Sequence, residues 1–364
     1  MTHKDDMATL EQACRRVEQV QFKADEVRDA FTINPTLEIC RLDWQCCARF
    51  RAEEPSFGEP VRGEEWALIW KPEPDAPVAV RAATPAELLA LKLLSADMSI
   101  EQAARECGKT PSALRHLLVR VARSGVILAP AARIVRSEAQ VPGADTLSEN
   151  DRRPRIFTLQ WHLTNRCDLN CRHCYDRTDR QPLSTAAAVD VLDDFARFCE
   201  TKRVLGHVSF SGGNPLLRPD FFEVYRRAAD LGFELSILGN PTSRSVLERI
   251  QKILPLDFFQ TSLEGLAEHN DFIRGAGHFD RVMTFLPVLR DLGISSTIML
   301  TLTRDNMDQV IPLAETLEGK VDHFTFNRLS PVGEGAALAM PDPAAYRAFL
   351  GRYVDAAKRL EVAG

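Results

Sequence analysis

From residue 155 onward the chain alternates strand-like and helix-like stretches six times, and this alternation restricts the fold more than any other feature. The strand candidates are IFTLQWHLT, HVSFSG, ELSIL, FFQTSL, SSTIMLTLT and HFTFNRL. Helical patterns separate and follow them: STAAAVDVLDDFARFCE, DFFEVYRRAADLG, SRSVLERIQKIL, FDRVMTFLPVLRDLG, NMDQVIPLAETLEG and PAAYRAFLGRYVDAAKRL. Strand-then-helix units repeated in this way predict a parallel sheet, closed as an α/β barrel or left open. In either form the chemistry belongs on loops at the carboxyl ends of the strands.

At 364 residues the chain has room for two or three domains. Residues 1–60 read as a helical extension, with TLEQACRRVEQVQFKADEVRDAF and TLEICRLDWQCCARFRAEE separated at Pro35. Residues 61–135 read as a winged helix. EEWALIWKP and APVAVRAA suggest a hairpin around KPEPDAP, three helical patterns follow, and VIL with ARIVRS suggests a closing wing. Thr84 and Pro85 mark the start of the first of those helices, as cap and first-turn proline. Residues 136–154 lose apolar periodicity and read as a linker to the α/β part at 155–364.

A net charge of −6 gives no electrostatic case for nucleic acid or membrane as a partner. No segment has the roughly 20 apolar residues needed to span a bilayer, and the polar start lacks a secretory h-region. The expectation is a cytoplasmic protein with reduced thiols. Cys14, Cys40, Cys46, Cys47, Cys107 and Cys199 are scattered and read as small buried hydrophobes. The remaining three, Cys167, Cys171 and Cys174, stand together in NRCDLNCRHCYD directly after the first strand.

Three soft, anionic thiolates on one loop suit three corners of an iron–sulfur cubane, with one iron left open. The alternative is a zinc site, but no second pair of cysteines or histidines supplies the fourth ligand that zinc usually takes. His173, between two of the cysteines, reads as an aromatic side chain packed over the cluster.

CDLNCRHC resembles the signature of the radical S-adenosylmethionine (radical SAM) superfamily, and further motifs of that family follow in order. The resemblance implies a partial (β/α)6 TIM-like barrel over 155–364, with a [4Fe–4S] cluster on Cys167, Cys171 and Cys174. It also implies S-adenosyl-L-methionine as second cofactor, cleaved reductively to a 5′-deoxyadenosyl radical that abstracts hydrogen. SFSGGNP resembles the glycine-rich motif beside the methionyl amino group, which assigns Gly212, Gly213, Asn214 and Pro215 to the cofactor. Asn214 stands where the family commonly has an acid. ILGN places Asn240 near the ribose. QTSLEG and HNDFIRGAGHF assign Ser262 and Arg274 to ribose and carboxylate, with Glu264 near ribose or substrate, and FTFNRLSPVGEG puts Asn327 near adenine. No side chain is singled out as acid, base or nucleophile.

A hairpin and winged helix before such a barrel resembles the recognition element of enzymes that mature ribosomal peptides. It implies a precursor whose leader adds a strand to residues within 66–81, and a reductant such as ferredoxin or flavodoxin. GGNP together with INPTLE resembles the maturases of selenobiotic-type, thio(seleno)oxazole-forming systems. Maturases of this group continue into a cysteine-rich SPASM domain. No cysteine follows Cys199, so the expectation is a truncated chain or a variant without auxiliary clusters.

Two alternatives remain open. The same radical chemistry could act on a small molecule or a protein. A redox sensor could instead read DNA through the third front helix, which carries Lys109, Arg115, His116, Arg120 and Arg123. In that helix Leu114, Leu117, Leu118 and Val121 form the core stripe, and the basic residues read as its solvated face.

Overall fold

The computed structural model describes residues 2–21, 29–50, 61–96, 98–135, 137 and 152–360, which divide into two units. The first comprises Met1–Phe157 with Ala196–Gly206, and the second Thr158–Phe195 with His207–Gly364. Most of the expected linker 136–154, and part of the helical stretch expected before Phe31, lie outside the described residues.

The first unit is built on a three-stranded antiparallel sheet ordered β2 (Glu38–Trp44), β3 (Arg62–Trp70), β4 (Ala79–Ala82). Strand side chains alternate between faces, and β3 uses both. Leu68 and Trp70 enter one apolar core with Ala90, Leu118 and Val121. Ala67 and Ile69 enter a second with Leu10, Ala13 and Val17 of α1 (His3–Gln19). Buried Asp6 fixes α1 by accepting from the backbone N–H groups of Asp43 and Trp44 at 2.9 and 3.0 Å.

The helix expected over TLEICRLDWQCCARFRAEE, whose last four residues lie outside the described ones, is therefore mostly a strand, followed by the single turn α2 (Cys47–Phe50). Its apolar residues repeat every second position. Cys40, Leu42 and Trp44 pack toward α1, while Ile39, Arg41 and Asp43 are exposed. Pairing with β3 satisfies that period where a helix would scatter it. The boundary expected at 60/61 thus separates two strands of one sheet.

The hairpin β3–β4 and the helices α3 (Pro85–Ser95), α4 (Ile100–Cys107) and α5 (Pro111–Ala122) follow the sequence reading. The expected wing does not. VIL contributes β5 (Ile127–Leu128), whose partner is β1 (Thr32–Ile33) rather than the hairpin. Arg133 is held by its N–H on the Lys202 carbonyl, 2.8 Å. Among the scattered cysteines Cys46, Cys47 and Cys199 are buried, whereas Cys107 is exposed, against expectation.

The alternating part, except residues 155–157 and Ala196–Gly206, which belong to the first unit, lies in the second. Its six strands, β6 (Ile156–Thr164), β7 (Leu205–Gly212), β8 (Glu234–Leu238), β9 (Phe258–Ser262), β10 (Ser295–Leu302) and β11 (His323–Arg328), lie side by side in chain order. The pairs from β7 to β11 are parallel. The connecting helices are α6 (Thr185–Lys202), α7 (Phe221–Asp230), α8 (Arg244–Ile253), α9 (Ala267–Arg274), α10 (His278–Asp291), α11 (Val310–Leu317) and α12 (Pro343–Ala357). Phe210, Ile237, Phe259, Leu300 and Phe324 are buried on the strands and form the core. Chain-order adjacency with helical crossovers gives a partial (β/α)6 barrel, the expected α/β class. Among the described residues, no helix is long and apolar enough to cross a membrane.

Candidate active site

The cysteine loop leaves β6 at its carboxyl end, and each neighbouring strand end sends something to it. The innermost layer is backbone. Gly213 N–H donates to the Thr164 carbonyl and Asn214 N–H to the Arg166 carbonyl, both at 2.8 Å. Gly212 sits at φ +122°, and a Cβ there would lie 2.2 Å from the Thr164 oxygen. A Cβ on Gly213 would lie 2.3 Å from the Arg166 oxygen. Only glycines let the SGGN turn press against the chain leading into Cys167.

A second layer rests on Asp168, which the sequence reading passed over. Its Oδ1 accepts from Asn214 Nδ2 at 2.9 Å and from Asn240 Nδ2 at 2.6 Å. Asn240 Nδ2 also lies 3.5 Å from Cys167 Sγ. Asparagine at 214 therefore fits Asp168, whereas an acid there would set two carboxylates against each other. The signal in the sequence is an acid inside the cysteine loop together with asparagines at two strand ends. Pro215 opens a 3-10 turn that Asn214 caps through Leu216 N–H.

The third layer is charged and buried. Glu264, 1 % exposed, accepts from Arg274 Nε at 2.8 Å and from Thr301 N–H at 2.8 Å. His173 Nε2 stands 3.3 Å from the same carboxylate. Arg274 Nη1 reaches Cys171 Sγ at 3.8 Å, and Arg172 N–H donates to the Ile273 carbonyl. Both oxygens of Glu264 are thus engaged by the chain's own groups beneath the loop. Burial alone would raise its pKa, but Arg274 and His173 outweigh it and hold the carboxyl below the usual range. Burial pushes the Cys171 thiol up, and the Arg274 guanidinium opposes that. Arg274 thereby favours the thiolate that iron requires.

A clamp arrives from beyond β11. Glu334 N–H donates to the Cys174 carbonyl at 2.9 Å. Gly333, at φ +57°, lies so close that a Cβ would be 2.5 Å from the Tyr175 oxygen. VGEG therefore holds the cysteine loop, a role the sequence reading did not give it. Ser262 and Asn327 stand apart. Ser262 is in register with Met299 across β9 and β10, and Asn327 Nδ2 bonds Met299 Sδ at 3.2 Å. Among the described residues, neither is hydrogen-bonded to the cysteine loop. Tyr175 and His162 form a further pair there, the hydroxyl 2.8 Å from Nε2.

The donor set fits an iron–sulfur cluster. All three cysteines are free thiols with partial or full exposure, and the buried Nδ1 of His173 beside them has no hydrogen-bond partner. Among the described residues no three His, Cys, Asp or Glu side chains close on one point as a single-ion site does. Thiolates that each take a different iron of a cluster have no need to.

Residues 161–317 match the Radical SAM superfamily. Members of that superfamily bind a [4Fe–4S] cluster and S-adenosylmethionine as cofactors. Fe-coproporphyrin III synthase of Methanosarcina barkeri is 28% identical over 220 residues, 58% of this chain and 53% of the relative. Mycofactocin maturase MftC of Mycolicibacterium smegmatis is 32% identical over 185 residues, 49% of this chain and 46% of the relative. The chain spans about half the length of the curated relatives it matches. Streptococcus suis SuiB bound to its precursor peptide SuiA superposes with TM-score 0.48 at 18% identity, covering 82% of this chain and 69% of SuiB.

Proposed function

We propose that the chain is a radical SAM enzyme that abstracts hydrogen from a ribosomally made peptide during its maturation. The observation that carries the radical reading is the cysteine loop, joined through its own residues to Gly213 and Asn214 after β7, Asn240 after β8, Arg274 of α9 and Glu334 beyond β11. A cluster held by Cys167, Cys171 and Cys174 would supply the electron for reductive cleavage of S-adenosylmethionine. The chain's own residues hold the reacting groups in place. Cys167, Cys171 and Cys174 are the iron ligands. Gly212 and Gly213 leave room for a close backbone approach, and Arg274, whose Nη1 lies 3.8 Å from Cys171 Sγ, serves a carboxylate. Asn240, Ser262 and Asn327 serve ribose and adenine.

The peptide reading draws on the first unit and on the maturase among the relatives. β3 has neighbours on both sides, so β4 is the strand within 66–81 that can accept a leader along a sheet edge. A selenobiotic-type peptide, matured with a ferredoxin or flavodoxin as reductant, belongs to this proposal. The synthase relative favours a second reading, a small-molecule substrate for the same barrel chemistry.

The test combines the reduced, reconstituted chain with S-adenosylmethionine and short peptides encoded beside its gene. A peptide that lowers in mass by whole hydrogens while 5′-deoxyadenosine forms supports the maturase. 5′-Deoxyadenosine formed equally with and without every such peptide, each left unchanged, favours the small-molecule reading.

A further inference from the structure

The first unit holds a cavity of about 370 Å³ that the barrel chemistry does not use. Its walls come from α3, α4 and α5 together with residues 196–204, all within that unit. Phe31, Leu94, Met98, Ile100, Val119 and Val204 make it largely apolar. A space of this size, apolar with a few polar groups, is what small-molecule sites show, at roughly 300–1,000 Å³.

The polar groups differ in how firmly they are held. Buried His116 has its Nδ1 3.3 Å from Ser112 Oγ. Arg115 is pinned by two carboxylates, Glu101 at 2.6 Å and Glu200 at 3.1 Å. Arg203 is different. Its guanidinium meets Asp29 at 3.4 and 3.5 Å, the outer limit of a hydrogen bond, and the Asp29 side chain is 93% exposed. So loose and solvated a pair binds weakly. Arg203 is also the one non-glycine with positive φ among the described residues, at +56°, directly after α6. Glycine is the usual residue at such a helix end. A side chain kept there against backbone preference, at the rim of a cavity, points to a ligand.

We propose that this cavity binds a small apolar carboxylic acid, its apolar body among Leu94, Ile100 and Val119 and its carboxylate on Arg203 in place of Asp29. A carboxylate from the ligand would lie against an apolar wall rather than in open water, where a charge-assisted pair is stronger. The inference stands apart from the radical reading and needs no cofactor.

The experiment is calorimetric titration of the full chain, without reconstitution, with octanoate, 3-phenylpropionate and 1-octanol. At least one of the two acids binds, and octanoate binds about tenfold more tightly than 1-octanol, the effect of one charge-assisted contact. Val119→Phe, which fills the cavity, abolishes binding. Arg203→Gly suits the backbone, leaves Tm unchanged or raised, and removes the preference for the acid. Failure of both acids to bind, binding unaltered in Val119→Phe, or an acid preference that survives Arg203→Gly overturns the proposal.

Discussion

Glu87 in the first unit and Glu264 in the barrel are both buried, both paired with arginine, and opposite in reach. Glu87 closes a capping box with Thr84 at the start of α3, giving and receiving bonds three residues away. Its arginine, Arg81, is six residues back and a third exposed. Glu264 instead gathers Arg274, Thr301 and His173, which lie 10, 37 and 91 residues away and are carried on α9, β10 and the cysteine loop. One carboxylate starts a helix. The other ties a site to its scaffold, and only a completed fold can assemble it.

The contrast can be broken by mutation. Glu264→Ala strands Arg274 in the interior, and breaking a buried pair costs about 3–5 kcal/mol. We expect a large fall in Tm and, in the reconstituted protein, reduced iron content, both read by thermal melts and iron assay. A fall in Tm with iron retained at wild-type level would reduce Glu264 to a stabilising residue without influence on the loop.

Acid separates the two regions by their tryptophans, since Trp44, Trp66 and Trp70 lie in the first unit and Trp161 in the second. Burial first, then Arg274 and Arg281, lower His278 from 6.5 to about 4. The folded barrel therefore refuses a proton that the unfolded chain accepts. Its contribution is full above pH 6.5 and is lost as pH falls from 6.5 toward 4, with on the order of 3 kcal/mol at stake. Glu87, lowered to about 2 by Arg81 and Thr84 against burial, loses its contribution only from pH 4.5 downward. Trp161 fluorescence should change at higher pH than that of the other three tryptophans, measured in single-tryptophan variants. The reverse order would contradict the assignment.

Glu87→Ala should cost less than Glu264→Ala, about 1–3 kcal/mol, because Arg81 turns to water and one cap is lost. Denaturant melts check the ranking. The smallest effect is Asn214→Asp, which replaces an amide donor to Asp168 with a second carboxylate and should cost about 1–2 kcal/mol. Its signature is partial recovery on mild acidification, when the two carboxylates share a proton.

Legibility in the sequence followed the same line. All six barrel strands could be read because each is a local run with a helix after it, and CDLNC, CRHC and SFSGGNP carry their meaning in adjacent residues. The Thr84–Pro85 start of α3 was local as well. β2 was misread because its apolar residues also suit a helix, and its partner β3 decides the matter. Asp168, the bonds of Glu264 and the Gly333–Glu334 clamp stayed hidden, since their partners are distant in the chain. Arg203 was equally silent, because its backbone angle is visible only in the folded chain.

The central claim is that the three-cysteine loop holds the cluster that splits S-adenosylmethionine. Its most direct test is anaerobic reconstitution with iron and sulfide, then dithionite and S-adenosylmethionine, with 5′-deoxyadenosine quantified in the wild type and in Cys167→Ala, Cys171→Ala and Cys174→Ala. The account predicts iron, sulfide and 5′-deoxyadenosine in the wild type and loss of product in each variant. Undiminished iron and product in these three variants would contradict it.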